Sequence, residues 1–145
     1  MNVAEINVID RLRVLIADDN PAVLEAVKHM LQDDFQVVAA VEDGGAVVTQ
    51  VTELKPDVVV LDISMGEMNG FEVTRELKAE LCPSKIVFLS VHEGLDIIRA
   101  AFDIGASGYV FKSRMYTDLR TAIITAQDGK VFIPAAESPE FCGEE

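Results

Sequence analysis

The sequence predicts an α/β protein built on a doubly wound parallel sheet, and three observations carry that prediction. Val58-Val59-Val60-Leu61 is an apolar run without alternation, and so is Val14-Leu15-Ile16-Ala17. A strand that is hydrophobic throughout is buried on both faces, as in a parallel sheet held between helix layers. Strand-like and helix-like stretches alternate about five times, and right-handed crossovers turn that order into one sheet with helices on both sides. Finally, both apolar runs stop on carboxylates: Asp18-Asp19 after the first and Asp62 after the second. Ligands of open α/β sheets bind at the carboxyl ends of the strands, so Asp62 is the residue around which the chain is organised.

The elements follow in order. Residues 13–17 form the first strand. Asn20-Pro21 is a helix-start signal, with Pro at the first helical position. Ala22, Val23, Ala26, Val27, Met30 and Leu31 then recur at helical spacing, which predicts a helix over 21–32. Residues 35–41 read as a strand, broken by Gly44-Gly45. Ala46, Val47, Val51 and Leu54 predict a second helix ending before Pro56, and the Asp62 strand comes next. Residues 64–69 are a polar loop, and Phe71, Val73, Leu77 and Leu81 a third helix stopped by Pro83. Residues 85–89 are a fourth strand, followed by Ser90. Leu95, Ile97, Ile98, Ala101, Phe102 and Ile104 mark a fourth helix closed by Gly105. Residues 109–111 are a short fifth strand, followed by Lys112. A last helix spans 117–127 and is closed by Gly129. Its Leu119, Ala122, Ile123 and Ala126 share one face, which reads as core, with self-association as a second reading. The domain is therefore expected over 11–129. Residues 1–10 are expected to be an arm, and 130–145, with Pro134, Pro139 and Gly143, a tail or linker.

Five residues gather at strand ends in this scheme: Asp18, Asp19, Asp62, Ser90 and Lys112. Singly, each has a plain explanation as a cap, a turn or a solvated surface group. In parallel strands they converge on one edge of the sheet. Three crowded carboxylates repel one another and invite a hard divalent cation with oxygen ligands. Mg²⁺ suits a shallow site where it keeps several waters, Mn²⁺ is an alternative, and no cage of the size Ca²⁺ takes is evident. A carboxylate beside a cation, an ammonium and a hydroxyl is suited to accept a phosphoryl group, with Asp62 as nucleophile.

The motifs resemble those of two-component response-regulator receiver domains. The matching stretches are Leu15-Ile16-Ala17-Asp18-Asp19-Asn20, Val60-Leu61-Asp62-Ile63-Ser64-Met65, Met68-Asn69-Gly70, Leu89-Ser90-Val91 and Gly105-Ala106-Ser107-Gly108-Tyr109-Val110-Phe111-Lys112-Ser113. The glycine-rich stretch before Tyr109 and the Asp-Gly-Lys-Val-Phe-Ile-Pro ending are most similar to receivers that precede a LuxR/NarL-type helix-turn-helix domain. The resemblance implies a flavodoxin-like five-stranded parallel sheet of order 2-1-3-4-5. It implies Asp62 as phosphoacceptor from a sensor histidine kinase. It also implies Mg²⁺ held by Asp18, Asp19, Asp62 and the Ser64 carbonyl, phosphoryl oxygens held by Ser90 and Lys112, and Ser90 with Tyr109 as the switch pair. Ser64 and His92 occupy positions that tune aspartyl-phosphate lifetime in that family. One position departs from the pattern: Gly66 stands where the family usually has Pro, which predicts a less rigid loop.

Composition excludes several other classes. The 145 residues are 50% hydrophobic and 26% charged, enough for one globular domain with a full core. With 12 basic against 25 acidic residues and a net charge of −13, this segment is not expected to hold nucleic acid itself. DNA would be reached only through an output domain, and no helix-turn-helix sequence follows Gly129; the tail's likeness favours a regulator cut in its linker over a single-domain one. No apolar run is long enough to cross a membrane, and residues 1–9 lack the features of a secretion signal, so the cytoplasm is expected. Cys82 and Cys142 lack metal-ligand spacing and read as free thiols, and His29 and His92 as surface or packing residues. A phosphohydrolase would need a general acid and a substrate pocket, for which no residues stand out. A flavin phosphate would be repelled by Asp18-Asp19. A phosphorylation-independent interaction module on the same fold is the remaining alternative, and the intact set of Asp62, Ser90 and Lys112 argues against it.

Overall fold

The computed structural model of the chain describes residues 11–134 except Glu67. The expected arm before residue 11, Cys142, and the tail beyond Pro134 lie outside the described residues. Five strands, β1 (Arg13–Ala17), β2 (Gln36–Val41), β3 (Val58–Leu61), β4 (Lys85–Ser90) and β5 (Gly108–Phe111), alternate with five helices. These are α1 (Pro21–Leu31), α2 (Gly44–Leu54), α3 (Gly70–Ala79), α4 (Leu95–Asp103) and α5 (Met115–Gln127). The strands form one parallel sheet in the order β2-β1-β3-β4-β5. Its centre is β3, every residue of which is buried.

The two faces of the sheet carry separate cores. Alternate residues of one strand point to opposite faces, so Leu15, Val59, Leu61 and Phe88 join Val47 and Val51 of α2, Val73 and Leu77 of α3, and Ile98 and Ala101 of α4. Val14, Ile16, Val58, Val60 and Val87 meet Leu24, Val27 and Leu31 of α1 and Leu119, Ile123 and Ala126 of α5 on the other face. The Leu119, Ala122, Ile123 and Ala126 stripe is fully buried there. Core packing consumes it, so those four residues cannot supply a dimer face. The exposed apolar residues of α5 are Tyr116 and Ile124.

Local chemistry sets the helix starts, and it shifts some of the expected boundaries. Asn20 caps α1, its side chain accepting from the Ala22 amide at 2.9 Å. Gly44-Gly45 does not separate β2 from α2; the pair opens α2, because the Asp43 side chain accepts from the Gly45 amide at 3.1 Å and caps the helix. At α3 a capping box closes in both directions. Glu72 donates its amide to Asn69 Oδ1 at 3.0 Å, and Asn69 donates its amide to Glu72 Oε1 at 2.9 Å. α5 starts at Met115, two residues before Thr117, because a 3-10 turn (Lys112–Arg114) winds straight into it.

After Gly129 the chain returns to the sheet. Phe132 pairs in parallel with Gly108, packs against the α1/α5 core, and is followed by buried Pro134.

Candidate functional site

β1 and β3 are neighbours, with Ala17 opposite Leu61. The residues that follow each therefore sit side by side. The Asp62 amide donates to the Ala17 carbonyl at 3.0 Å and the Asp18 amide to the Val41 carbonyl at 3.0 Å, so the backbone fixes both acids at the strand tips. The start of α3 closes against the same tip. A Cβ added to Gly70 would lie 2.5 Å from the Asp62 carbonyl oxygen, so only glycine permits that approach.

Carboxylate oxygens of Asp18, Asp19 and Asp62 all lie within 4.8 Å of one another. Asp18 and Asp62 are buried, at 2% and 5% exposure, whereas Asp19 faces solvent. Lys112 reaches across from the end of β5, its Nζ 2.7 Å from Asp18 Oδ2 and 3.6 Å from Asp62 Oδ2. Asp18 Oδ1 accepts the Asn20 amide at 2.9 Å. Buried Asp18 Oδ2 has this ammonium beside it but no hydrogen bond of good geometry among the described residues. A buried carboxylate oxygen held by charge proximity alone is poised to take another cation. The donor set, all hard anionic oxygens, fits a hard divalent ion.

The same crowding sets the Asp62 titration. Its carboxyl is pushed from 3.8 up to about 6, first by burial and then by the Asp18 charge; Lys112 and the Ser64 amide pull the other way. That amide points at Asp62 Oδ1 from 3.4 Å. Asp62 is thus a more basic carboxylate than an exposed one, held beside an ammonium.

Ser90 and Tyr109 are fully buried beneath the site. Ser90 Oγ accepts the His92 amide at 3.0 Å, and the Tyr109 hydroxyl donates to the His92 carbonyl at 2.8 Å. The Tyr109 ring packs among Phe88 and Phe111, with centroids 6.3 and 6.0 Å away. The structure encloses Tyr109 completely, and burial raises its phenol pKa. His92 is the residue that sequence reasoning undervalued. Its amide holds Ser90, its carbonyl holds Tyr109, and its Nε2 shares a 3.3 Å hydrogen bond with Ser64 Oγ across the mouth of the site. Two of these three contacts are backbone, so the residue type carries no signal for them. The structure thus brings together Asp18, Asp19, Asp62, Ser64 and Lys112 at one rim, with Ser90 and Tyr109 below.

Gly66, in the loop after Asp62, has φ +62°. Proline is restricted to negative φ, so this loop follows a path that the usual Pro could not adopt.

The profile of the response regulator receiver domain family matches residues 14–124. The transcriptional regulatory protein DegU of Brevibacillus brevis is 33% identical over 126 residues, covering 86% of this chain and 53% of that protein. The chain thus spans about half the length of this curated relative. The crystal structure of a LuxR-family two-component response regulator from Aurantimonas sp. SI85-9A1 superposes with a TM-score of 0.82 at 30% identity, over 93% of this chain and 95% of that one. The isolated receiver domain of RcsB from Salmonella enterica serovar Typhimurium, determined with the phosphomimetic BeF3-, gives 0.78 at 29% identity, over 86% and 94%. No described helix is long and apolar enough to cross a membrane. With its strand order, its acidic rim and these relatives taken together, the chain belongs to the receiver-domain family of two-component response regulators, among relatives of the LuxR/NarL type.

Proposed function

We propose that Asp62 is the phosphoacceptor of this receiver, charged by a sensor histidine kinase, and that Asp18, Asp19, Asp62 and the Ser64 carbonyl hold Mg²⁺. The observation that carries the reading is the meeting of three carboxylates within 4.8 Å with the Lys112 ammonium at 2.7 and 3.6 Å. In the transfer, an Asp62 oxygen forms a bond to phosphorus, the phosphorus–nitrogen bond of the donor phosphohistidine breaks, and the imidazole leaves with the electron pair. Bound Mg²⁺ supplies neutralisation of phosphoryl oxygen charge. Lys112, nearer to Asp18 than to Asp62 at rest, turns to a phosphoryl oxygen, and the Ser90 hydroxyl donates to another. The raised basicity of Asp62 favours its attack, provided the pH lies above its pKa.

The phosphoryl group adds roughly −1.5 to −2 charges and three acceptor oxygens. Ser90 interacts with that state and not with the empty one, which biases Tyr109, α4 and β5 toward an active arrangement. Chemistry on the chain's own aspartate is the only catalysis in this reading. A transcriptional output is supported by the name of the Brevibacillus relative. It would act through a DNA-binding domain outside this chain, in the cytoplasm.

The test is incubation with acetyl phosphate or phosphoramidate and Mg²⁺, followed by intact mass measurement. Wild type gains one phosphoryl mass and Asp62→Asn gains none. An adduct that persists in Asp62→Asn places the acceptor elsewhere.

A further inference from the structure

β5 carries two sets of bonds at one residue. The Tyr109 side chain reaches His92, whose amide holds Ser90. The Tyr109 amide, on the outer edge of the sheet, donates to the Phe132 carbonyl at 3.2 Å, and the Phe132 amide returns to the Ser107 carbonyl at 2.9 Å. Residues 131–134 therefore run along the outer edge of β5, joined to it by the single bridge at Phe132. Their side chains alternate as a strand demands: Val131 and Ile133 are 52% and 59% exposed, while Phe132 packs into the α1/α5 core. Pro134 ends the ladder because it has no amide to donate. The attachment is slight, one bridge and one aromatic ring, against four paired residues between β5 and β4.

We infer that residues 131–134 are a releasable edge segment, loosened from β5 when Asp62 carries a phosphoryl group. The state of the site is then handed along the chain itself to whatever follows. This rests on the reading of Asp62 given above. Lys112 directly follows β5, and Ser90 pairs with Phe111 on its inner side. Groups drawn toward a phosphoryl on Asp62 therefore act on both ends of β5, through Lys112 and through the Ser90–His92–Tyr109 contacts, and Tyr109 is the residue whose amide holds Phe132. The weakest ladder of the sheet is the one that yields. Coupling is reciprocal, so loss of the segment must in turn favour the phosphoryl state.

The probe is beryllofluoride with Mg²⁺, added to the full 145-residue chain, with bound fluoride followed by fluorine NMR and amide exchange followed by proton NMR. On adduct formation the Tyr109 and Phe132 amides exchange faster, by about fivefold or more at the lower end of ordinary allosteric coupling. The Leu24 and Val27 amides of α1 do not change. Phe132→Ala lowers the beryllofluoride concentration at half-saturation by about fivefold, and Phe132→Leu restores the wild-type midpoint. If residues 131–134 merely cover an edge, Phe132→Ala lowers Tm and leaves that midpoint where it was, which overturns the inference. Bound fluoride with unchanged or slower exchange at Phe132 also overturns it, while Asp62 stands. Absence of any bound fluoride signal sinks the Asp62 reading, and this inference with it.

Discussion

Asp62 is nearly dry, and its charge costs free energy until something neutralises it. The folded chain holds the Asp62 proton up to about pH 6, against 3.8 for an ordinary aspartate. Between those values the native state binds more protons than the unfolded one, so stability falls as pH rises through that window. The penalty is absent below about pH 4 and complete above about pH 6. Asp62→Asn removes it. In urea titrations with a chelator present, the variant gains about 1–3 kcal/mol at pH 8, and the two proteins converge below about pH 4. Equal stability at pH 8 contradicts this. Lys112 has the opposite sign. Lys112→Met strips buried Asp18 of its 2.7 Å counter-charge and costs about 1–3 kcal/mol, less than a fully buried pair because the ammonium is part-exposed. Every one of these side chains was legible as a letter at a strand end. Their burial, and hence the direction of the Asp62 shift, was not, because a sequence does not say how α3 closes on the β3 tip.

The loop from Asp62 to α3 is held at its far end by the Asn69–Glu72 capping box. Asn69→Ala is expected to cost about 1 kcal/mol in equilibrium unfolding, and to lower Mg²⁺ affinity by loosening the Ser64 segment. Within the loop, Gly66 at φ +62° has no atom within 4 Å of an added Cβ. Gly66→Ala then carries only the left-handed strain of about 1–2 kcal/mol. Gly66→Pro, which restores the family's usual residue, cannot keep this backbone and is expected to cost more than Gly66→Ala; a stabilised Gly66→Pro would show that the loop readily takes the other path. The strands and helices themselves were readable, since unbroken Val runs and i, i+3, i+4 spacing report burial directly. The errors fell on glycine, on short pairings and on one helix end: Leu81 reads as part of α3, but the helix stops at Ala79 and Leu81, with φ +59°, is 88% exposed. Gly44 reads as a breaker until Asp43 is seen capping it. Phe132 is invisible because a one-residue bridge has no period.

The topology explains why the acidic residues gather at one edge of the molecule. β1 leads outward to β2 on one side and lies against β3 on the other, so the chain reverses direction there and leaves a crevice beyond the β1 and β3 tips. Asp18, Asp19 and Asp62 line that crevice because they are the first polar residues after two buried runs. In a chain of net charge −13, a cation bound there relieves repulsion as well as filling the site. Saturating Mg²⁺, at about 100 times its Kd, should add about 2.7 kcal/mol to wild-type stability. A neutral salt at matched ionic strength should not, and Asp19→Asn should lose most of the gain. In the proposed reaction Asp62, and neither of its acidic neighbours, takes the phosphoryl group. An acyl phosphate is reduced by borohydride to the corresponding alcohol, which turns a phosphorylated aspartate into homoserine. Phosphorylated wild type, reduced in this way and mapped by peptide mass spectrometry, should carry homoserine at position 62 and aspartate at 18 and 19. Homoserine at 18 or 19, with position 62 untouched, would put the acceptor on a neighbouring acid and overturn the role proposed for Asp62.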